Sequence, residues 1–323
     1  MNKRRVLVTG GAGFIGSCFL KFLNDKGFRD ILIVDNLASS TKWKNLVGKQ
    51  FTKYVNKQVF LSEIEQNKYE NVDVIFHFGA CSSTTENNIE YLMENNFNYS
   101  VKLAEFSLSN SIPFIYASSA ATYGDGSFGY SDTEFEKLRP LNGYGFSKHL
   151  FDLWVIENEY DKIFTGIKFF NVFGPNEYHK GEMASMVYKS FNQVTSTGKI
   201  KLFKSYNSKY ADGEQLRDFI YIKDINKIIW KLYEKDIKGI FNLGTGNARS
   251  WNDLAKAVFA AMKISPNIEY IDMPLHLIGQ YQYYTQADMS KLSNTGIYLQ
   301  FTSLEDSISD YVNNHLRKNN IYY

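Results

Sequence analysis

A run of glycines set between an apolar stretch and a helix-like segment constrains this chain more tightly than any other feature of its 323 residues. Arg5-Val6-Leu7-Val8-Thr9 enters Gly10-Gly11-Ala12-Gly13-Phe14-Ile15-Gly16, and Phe19-Leu20-Lys21-Phe22-Leu23 continues with helical apolar spacing. The order is strand, turn, helix. The glycines satisfy both Gly11-x-Gly13-x-x-Gly16 and Gly10-x-x-Gly13-x-x-Gly16. Without side chains there, the backbone can approach a pyrophosphate, and the helix start offers free N–H groups and a positive dipole end. A second apolar run, Ile31–Val34, ends at Asp35, at about the separation where an acid meets an adenosine ribose. Together these features point to a bound dinucleotide.

The alternation started there continues. Strand-like runs fall at Arg5–Thr9, Ile31–Val34, Val74–His77, Pro113–Ala117 and Thr165–Phe169, with helix-like segments between them, notably Glu90–Ser109 and Tyr144–Tyr160. Such a pattern predicts an α/β fold, a doubly wound parallel sheet of the Rossmann kind with helices on both faces. Ligands then belong at the carboxyl ends of the strands. After Asn171 the order breaks into loops at Pro175, Gly181, Gly198 and Ser205–Gln215. Apolar segments at Asp218–Ile222, Gly239–Leu243 and Ile268–Ile271 read as strands, and Leu304–His315 as a helix. The expected division is a dinucleotide-binding domain over 1–170, with returning segments near 218–243. Residues 171–323 then form mainly a smaller α/β substrate domain.

At 44% hydrophobic and 22% charged residues the chain can bury an ordinary core. A net charge of +2 gives no case for nucleic acid or an anionic membrane. Glycines interrupt the first apolar stretch after four residues, which excludes a secretory reading of the basic start. No run approaches the ~18 apolar residues of a membrane span. Cys18 and Cys81 fit reduced thiols in a cytoplasm. His77, His149 and His179 show no metal-ligand grouping with carboxylates or cysteines, so no metal is expected.

Tyr144-Gly145-Phe146-Ser147-Lys148 puts a phenol and an ammonium one helical turn apart, on the same face. A free tyrosine ionises near pKa ~10, and bringing it to about 7 takes roughly 4 kcal/mol. Lys148 and the positive ring of an oxidised nicotinamide are the expected sources, giving Tyr144 the power of a general base. Ser119, 25 residues earlier at the end of an apolar run, offers a hydroxyl to a substrate oxygen that alternates between alcohol and ketone.

Further blocks join these. They are Phe78-Gly79-Ala80-Cys81-Ser82-Ser83-Thr84-Thr85-Glu86, Ser118–Gly124, Asn142–Lys148 and Phe169-Phe170-Asn171-Val172-Phe173-Gly174-Pro175. Narrower in distribution are His179-Lys180-Gly181-Glu182-Met183-Ala184-Ser185 and Tyr281-Gln282-Tyr283-Tyr284-Thr285-Gln286-Ala287-Asp288. On these residues, from Arg5 to Asp288, the chain resembles the extended short-chain dehydrogenases/reductases that act on nucleotide sugars. Within them it resembles the ADP-L-glycero-D-manno-heptose 6-epimerase family.

The resemblance implies inversion at C6 of an ADP-linked heptose through a transient ketone, with tightly bound NADP. It implies cofactor contacts from Phe14, Ile15, Asp35, Asn36, Lys42 and Lys57, beside Gly10, Gly13 and Gly16 of the turn. Phe78, Gly79, Ala80, Cys81, Ser82, Asn95, Lys148 and Val172 complete that set. Toward the sugar nucleotide it implies Asn171, Phe203, Arg217 and Tyr281, with Glu182 and Lys189 nearby. Tyr144 and Lys180 would be the two acid/base groups, assisted by Lys148 and Ser119. Asn176, Glu182 and Lys189 depart from the usual pattern, and all three are expected near the sugar pocket. A homo-oligomer, with a pentamer as one form, and a place in lipopolysaccharide core synthesis complete the implied picture.

The chemistry agrees with two bases. A C–H beside a hydroxyl, with no neighbouring carbonyl, is not acidic enough for a side chain to remove, so inversion proceeds by oxidation and re-reduction. The ketone must turn before the hydride returns, and one base does not readily serve both orientations. Lys180, on a glycine-flanked loop, answers the need for a second. On the cofactor, Asp35 favours the ribose hydroxyl of NAD, while Lys42 and Lys57 offset its repulsion of a 2′-phosphate. NADP is the expected cofactor, with NAD open. Arg217 is read as a diphosphate clamp, with pairing to Asp218 or Glu214 as the alternative. Ala120-Ala121 stand where a 4,6-dehydratase needs an acid pair, which argues against elimination. A 4-epimerase on another nucleotide sugar, or a nucleotide sensor on the same fold, are the competing readings. Both Tyr144 and Lys148 are present, which disfavours the sensor.

Overall fold

The computed structural model describes residues 4–66, 68–278, 281–298, 300–318 and 321–323. In chain order the strands are β1 (Val6–Thr9), β2 (Ile31–Asp35), β3 (Lys53–Asn56), β4 (Val74–His77), β5 (Phe114–Ser119), β6 (Thr165–Phe169) and β7 (Asn171–Phe173). There follow β8 (Ile200–Phe203), β9 (Leu216–Arg217), β10 (Phe219–Tyr221), β11 (Gly239–Leu243), β12 (Arg249–Ser250) and β13 (Ile268–Ile271). Seven of them make one parallel sheet in the order β11-β6-β5-β4-β1-β2-β3. The strands read as unbroken apolar runs because both faces are covered. Val6, Val8, Ile31 and Ile33 enter one core, while Leu7, Leu32, Val34 and Ile75 enter the other. That period of two is the strand's own geometry.

The chain order reverses between β1 and β4, the point where such sheets open a crevice. Helix Phe14–Asp25 starts there, directly after the glycine turn. β11 returns to the sheet beside β6, as the Gly239–Leu243 reading expects. The expected strand Asp218–Ile222 is shorter: β10 pairs with β7 outside the large sheet, and Ile222 begins a helix. β3 escapes the sequence pattern because it is the edge strand and buries only Val55. β8 pairs with β13, and β9 with β12.

The expected helix Glu90–Ser109 is Ile89–Leu92 and Tyr99–Ser109, joined by a π-helical turn over Met93–Asn98. Such wide turns concentrate at functional sites, and this one carries Asn95 and Asn96. Helix Gly143–Glu157 begins at Asn142, whose side chain accepts from Gly145 N. The last helix spans Leu304–Tyr311 and runs on through a π-helical turn to Leu316. Among the described residues no helix is long and apolar enough to cross a membrane.

Candidate active site

A cavity of about 460 Å³ lies over the carboxyl ends of β1, β4, β5 and β6. A smaller one of about 110 Å³ adjoins it toward β2, and the two share Gly10, Asp35, Lys42, Gly79 and Ala80. Each residue expected to touch the cofactor lines one or both, from Gly10, Gly13 and Gly16 through Asn36, Lys57 and Asn95 to Lys148 and Val172.

The walls fit a dinucleotide. Gly10 sits at φ +66°, and a Cβ there would lie 2.7 Å from Gly79 N, so the turn closes against the next strand's loop only as glycine. A Cβ on Gly16 would lie 2.2 Å from Gly10 O. Gly13 caps the helix without a side-chain hydrogen bond, which leaves the first N–H groups for an anion. Asp35 accepts from Ala12 N at 2.8 Å through Oδ2, and from Asn36 N and Lys42 Nζ, both at 2.7 Å, through Oδ1. The acid therefore arrives already paired with Lys42, its charge offset. Lys57 Nζ donates to Asn95 Oδ1, and burial, then Lys42, holds its ammonium pKa below the usual value.

At the other end of the cleft, β5 delivers Ser119, and helix Gly143–Glu157 delivers Tyr144 and Lys148. Lys148 is 3% exposed and, among the described residues, makes no hydrogen bond or ion pair. Burial pulls its pKa down to about 8, against the upward pull of Asp152. Tyr144 stands on the cleft beside Ser119 and Lys148. Its phenol pKa is raised rather than lowered; burial is the main cause, the Ser119 hydroxyl opposes it, and Cys81 and Asp152 add to it.

The support beneath was not read from the sequence. Asn96, fully buried, accepts from Cys81 N at 2.7 Å and donates to Cys81 O and Ser147 Oγ, both at 3.0 Å. It ties the cleft wall to the helix of Tyr144. His77 is held neutral between Thr9 Oγ1 at 2.6 Å and Ser100 Oγ at 2.8 Å, its pKa pushed down to about 3 by burial and then Lys148. The adjacent asparagines in a helical stretch were a visible signal; which one packs inward was not.

Lys180 lines the same cleft from the loop after β7, its ammonium 5.6 Å from the Phe14 ring. Burial holds its pKa below the usual value, with Glu177 acting the other way. Glu177 fixes that loop by accepting from Ser185 N at 2.5 Å, Ser185 Oγ at 2.8 Å and Gly174 N at 3.3 Å. Asn45, also unread in the sequence, donates to Ala12 O at 2.9 Å and Asn176 O at 3.1 Å, linking the glycine turn to this loop.

None of the three departing residues lines the cleft. Asn176 is fully buried with φ 74°, a conformation asparagine tolerates, and bonds Ser17 Oγ at 3.0 Å and the Tyr323 backbone. Glu182, with its side chain 93% exposed, pairs with Lys189 at 3.0 Å, and neither lines the cleft.

Arg217, Phe203 and Tyr281 gather outside the cavity lining. The Arg217 guanidinium lies between the rings of Trp251 at 5.6 Å and Tyr281 at 5.2 Å, and Phe203 meets Tyr281 edge-on at 6.5 Å. Arg217 donates to Leu216 O at 2.8 Å and to Gln282 O. It pairs with neither alternative acid. Asp218 is filled by Thr245 N, Thr245 Oγ1, Gly246 N and Ala287 N, and Glu214 by Asn252 Nδ2. Trp251, whose indole donates to Tyr281 at 2.9 Å, was the missed member. Asn171 is exposed at the start of β7, its N–H bonded to Asp218 O at 3.0 Å.

A protein-family model described as the NAD dependent epimerase/dehydratase family matches residues 6–244. The ADP-L-glycero-D-manno-heptose-6-epimerase of Nitratidesulfovibrio vulgaris is 50% identical over 96% of this chain and 97% of its own length. The crystal structure of that enzyme from Helicobacter pylori superposes with a TM-score of 0.81 at 30% identity, covering 96% of this chain and 95% of that one. A UDP-N-acetylglucosamine 4-epimerase from Methanobrevibacter ruminantium superposes with a TM-score of 0.82 at 25% identity, covering 97% and 98%.

Proposed function

This chain belongs to the NAD dependent epimerase/dehydratase family and is an epimerase with a nicotinamide cofactor, and from that premise we propose that it inverts C6 of ADP-D-glycero-D-manno-heptose. The observation that carries the reading is the meeting of Ser119, Tyr144, Lys148 and Lys180 on one cleft, delivered by three different elements. When bound, the nicotinamide supplies hydride acceptance from C6 and return to the same carbon.

Tyr144, as phenolate, takes the C6 hydroxyl proton while Ser119 holds the oxygen. With the C6 hydride lost to the nicotinamide as well, C6 would be left as a planar ketone. Lys148 holds the phenolate in place and contributes positive charge. After the ketone turns, Lys180 donates the proton that makes the inverted alcohol, and its lowered pKa suits it to release. Between turnovers a proton passes back from Tyr144 to Lys180 through solvent, so nothing is consumed.

NADP is the proposed cofactor. Lys42 already neutralises Asp35 at 2.7 Å, and with Lys57 close by the site tolerates the 2′-phosphate that a bare acid would repel. Arg217 would give its planar fork to the diphosphate. Trp251 and Tyr281 hold that fork in place and partly dry. A cytoplasmic homo-oligomer remains the proposed setting.

The test offers purified protein, without added cofactor, both ADP-D-glycero-D-manno-heptose and UDP-hexoses. Formation of the L-glycero epimer supports the reading. Conversion of the UDP-hexose alone would replace it with 4-epimerisation.

A further inference from the structure

Beneath the reacting end lies an ion pair that the mechanism does not use. Asp152 and Lys168 have side chains with no exposed surface and meet at 2.5 Å. Asp152 Oδ2 also accepts from Ser118 Oγ at 2.6 Å, and Oδ1 from Tyr116 OH at 3.1 Å. Lys168 donates on to Thr122 Oγ1 at 2.8 Å and lies over the Tyr123 and Phe135 rings at 5.3 and 5.1 Å.

The pair is not remote from the chemistry. Asp152 stands one turn after Lys148 on the same helix face. Lys168 sits opposite Ser118 in the β5–β6 register, next to Ser119. So one carboxylate acts on two buried lysines: it bonds Lys168, and it reaches Lys148, which bonds no acid among the described residues, through its charge. Summed, the three charges leave one positive charge, which a single phenolate would balance.

We propose that the Asp152–Lys168 pair is a positioning element that sets the charge balance at Tyr144 and Lys148, and so fixes the pH at which the phenolate forms. The proposal rests on the reading of Tyr144 as the base. Burial draws the Lys148 pKa down; Asp152 opposes that, and Lys168 limits how far it does. Other groups facing the site are few. His77 from β4 is held neutral, and Cys81 comes from the loop after it. His149 lies on the same helix, and Lys180 and His179 line the cleft from their loop. Tyr116, bonded to Asp152, and Tyr123, under Lys168, are held far from ionisation by burial, then by Asp152 for Tyr116 and by Asp132 for Tyr123.

The test reads the pH–rate profile and, independently, the phenolate absorbance of Tyr144. The absorbance is taken as the difference from the same protein carrying Tyr144→Phe, as purified and with oxidised dinucleotide added. Asp152→Asn removes a negative charge, so both readouts should move to lower pH by about one unit. Lys168→Met should move both to higher pH. The double variant Asp152→Asn/Lys168→Met has the parent's net charge, and both readouts should return toward the parent. Where Asp152→Asn does not fold because it strands a buried lysine, Lys168→Met against the double variant carries the comparison.

A packing role alone lowers activity without opposite shifts. Unmoved curves, or shifts of one sign in all variants, overturn the proposal. Should the absorbance follow the predicted signs while no nucleotide sugar turns over, the proposed function fails and this inference stands. Should turnover proceed with neither curve displaced, the inference alone fails.

Discussion

The cofactor cleft and the Arg217 cluster are built from different materials. The cleft is made by backbone: a glycine turn, a helix start and the ends of parallel strands, to which Asp35 and Ser119 are fixed. The cluster is made by side chains, with Arg217 held between two rings and bonded to two carbonyls. The first presents its donors to a ligand as it stands. In the second, the guanidinium must exchange a carbonyl partner before it can grip a diphosphate. Backbone-built sites are preorganised by the fold itself, whereas a site built by long side chains must pay for ordering each of them.

The comparison can be broken most sharply inside the cleft. Tyr144→Phe keeps the ring and its packing and removes the proton carrier, so turnover should fall by about 10²–10⁴-fold with cofactor content unchanged. Activity within a fewfold of the parent would remove Tyr144 from the mechanism.

On the other side, Arg217→Ala should raise the substrate KM by about tenfold or more, the scale of a lost hydrogen bond to a charged group, while bound dinucleotide stays constant. Arg217→Lys should not restore it, because the planar stacked fork is lost. Loss of cofactor in either variant would show that the two regions are one.

A stability measurement sharpens the claim that the cleft is held dry around an uncompensated ammonium. Lys148 falls from its ordinary value of 10.5 to about 8 on folding. A depressed lysine opposes folding, fully below about pH 8, and that cost disappears as pH rises through 10.5. At about 1.4 kcal/mol per unit it is on the order of 3 kcal/mol. Lys148→Met should therefore raise Tm at pH 7 and have less effect near pH 10, as thermal melts at both would show. An equal effect at both would mean that Lys148 is not strained by burial.

The smallest expected effect is at the ribose end. Lys42→Ala frees Asp35 to repel a 2′-phosphate, so the Kd for NADP should rise severalfold more than that for NAD, by titration of each. Equal weakening would leave Lys42 as a partner of Asp35 and nothing more.

What was legible follows the same division. Gly10–Gly16, Asp35, Ser119 and the Tyr144–Lys148 pair are local patterns on regular elements, where spacing alone sets direction. Gly10, Gly13, Gly16, Asp35, Ser119, Tyr144 and Lys148 all line the cleft. Asn176 could not be placed from spacing, because a loop residue at φ 74° points where the turn sends it, here into the core against Ser17. Trp251 lies 34 residues from Arg217 in the chain, and only the β9–β12 pairing brings them together. Nor does a lone Lys168 within an apolar strand reveal that its partner sits on a helix 16 residues earlier.

The claim at the centre is that C6 is inverted by hydride removal and return, within one protein that keeps its own dinucleotide. ADP-D-glycero-D-manno-heptose carrying deuterium at C6, incubated in ordinary water without added cofactor, tests it directly by mass spectrometry of the product. The account predicts the L-glycero epimer with its deuterium retained. An epimer that has exchanged the label for hydrogen from water would mean that a side chain removes the C6 proton, and would contradict it.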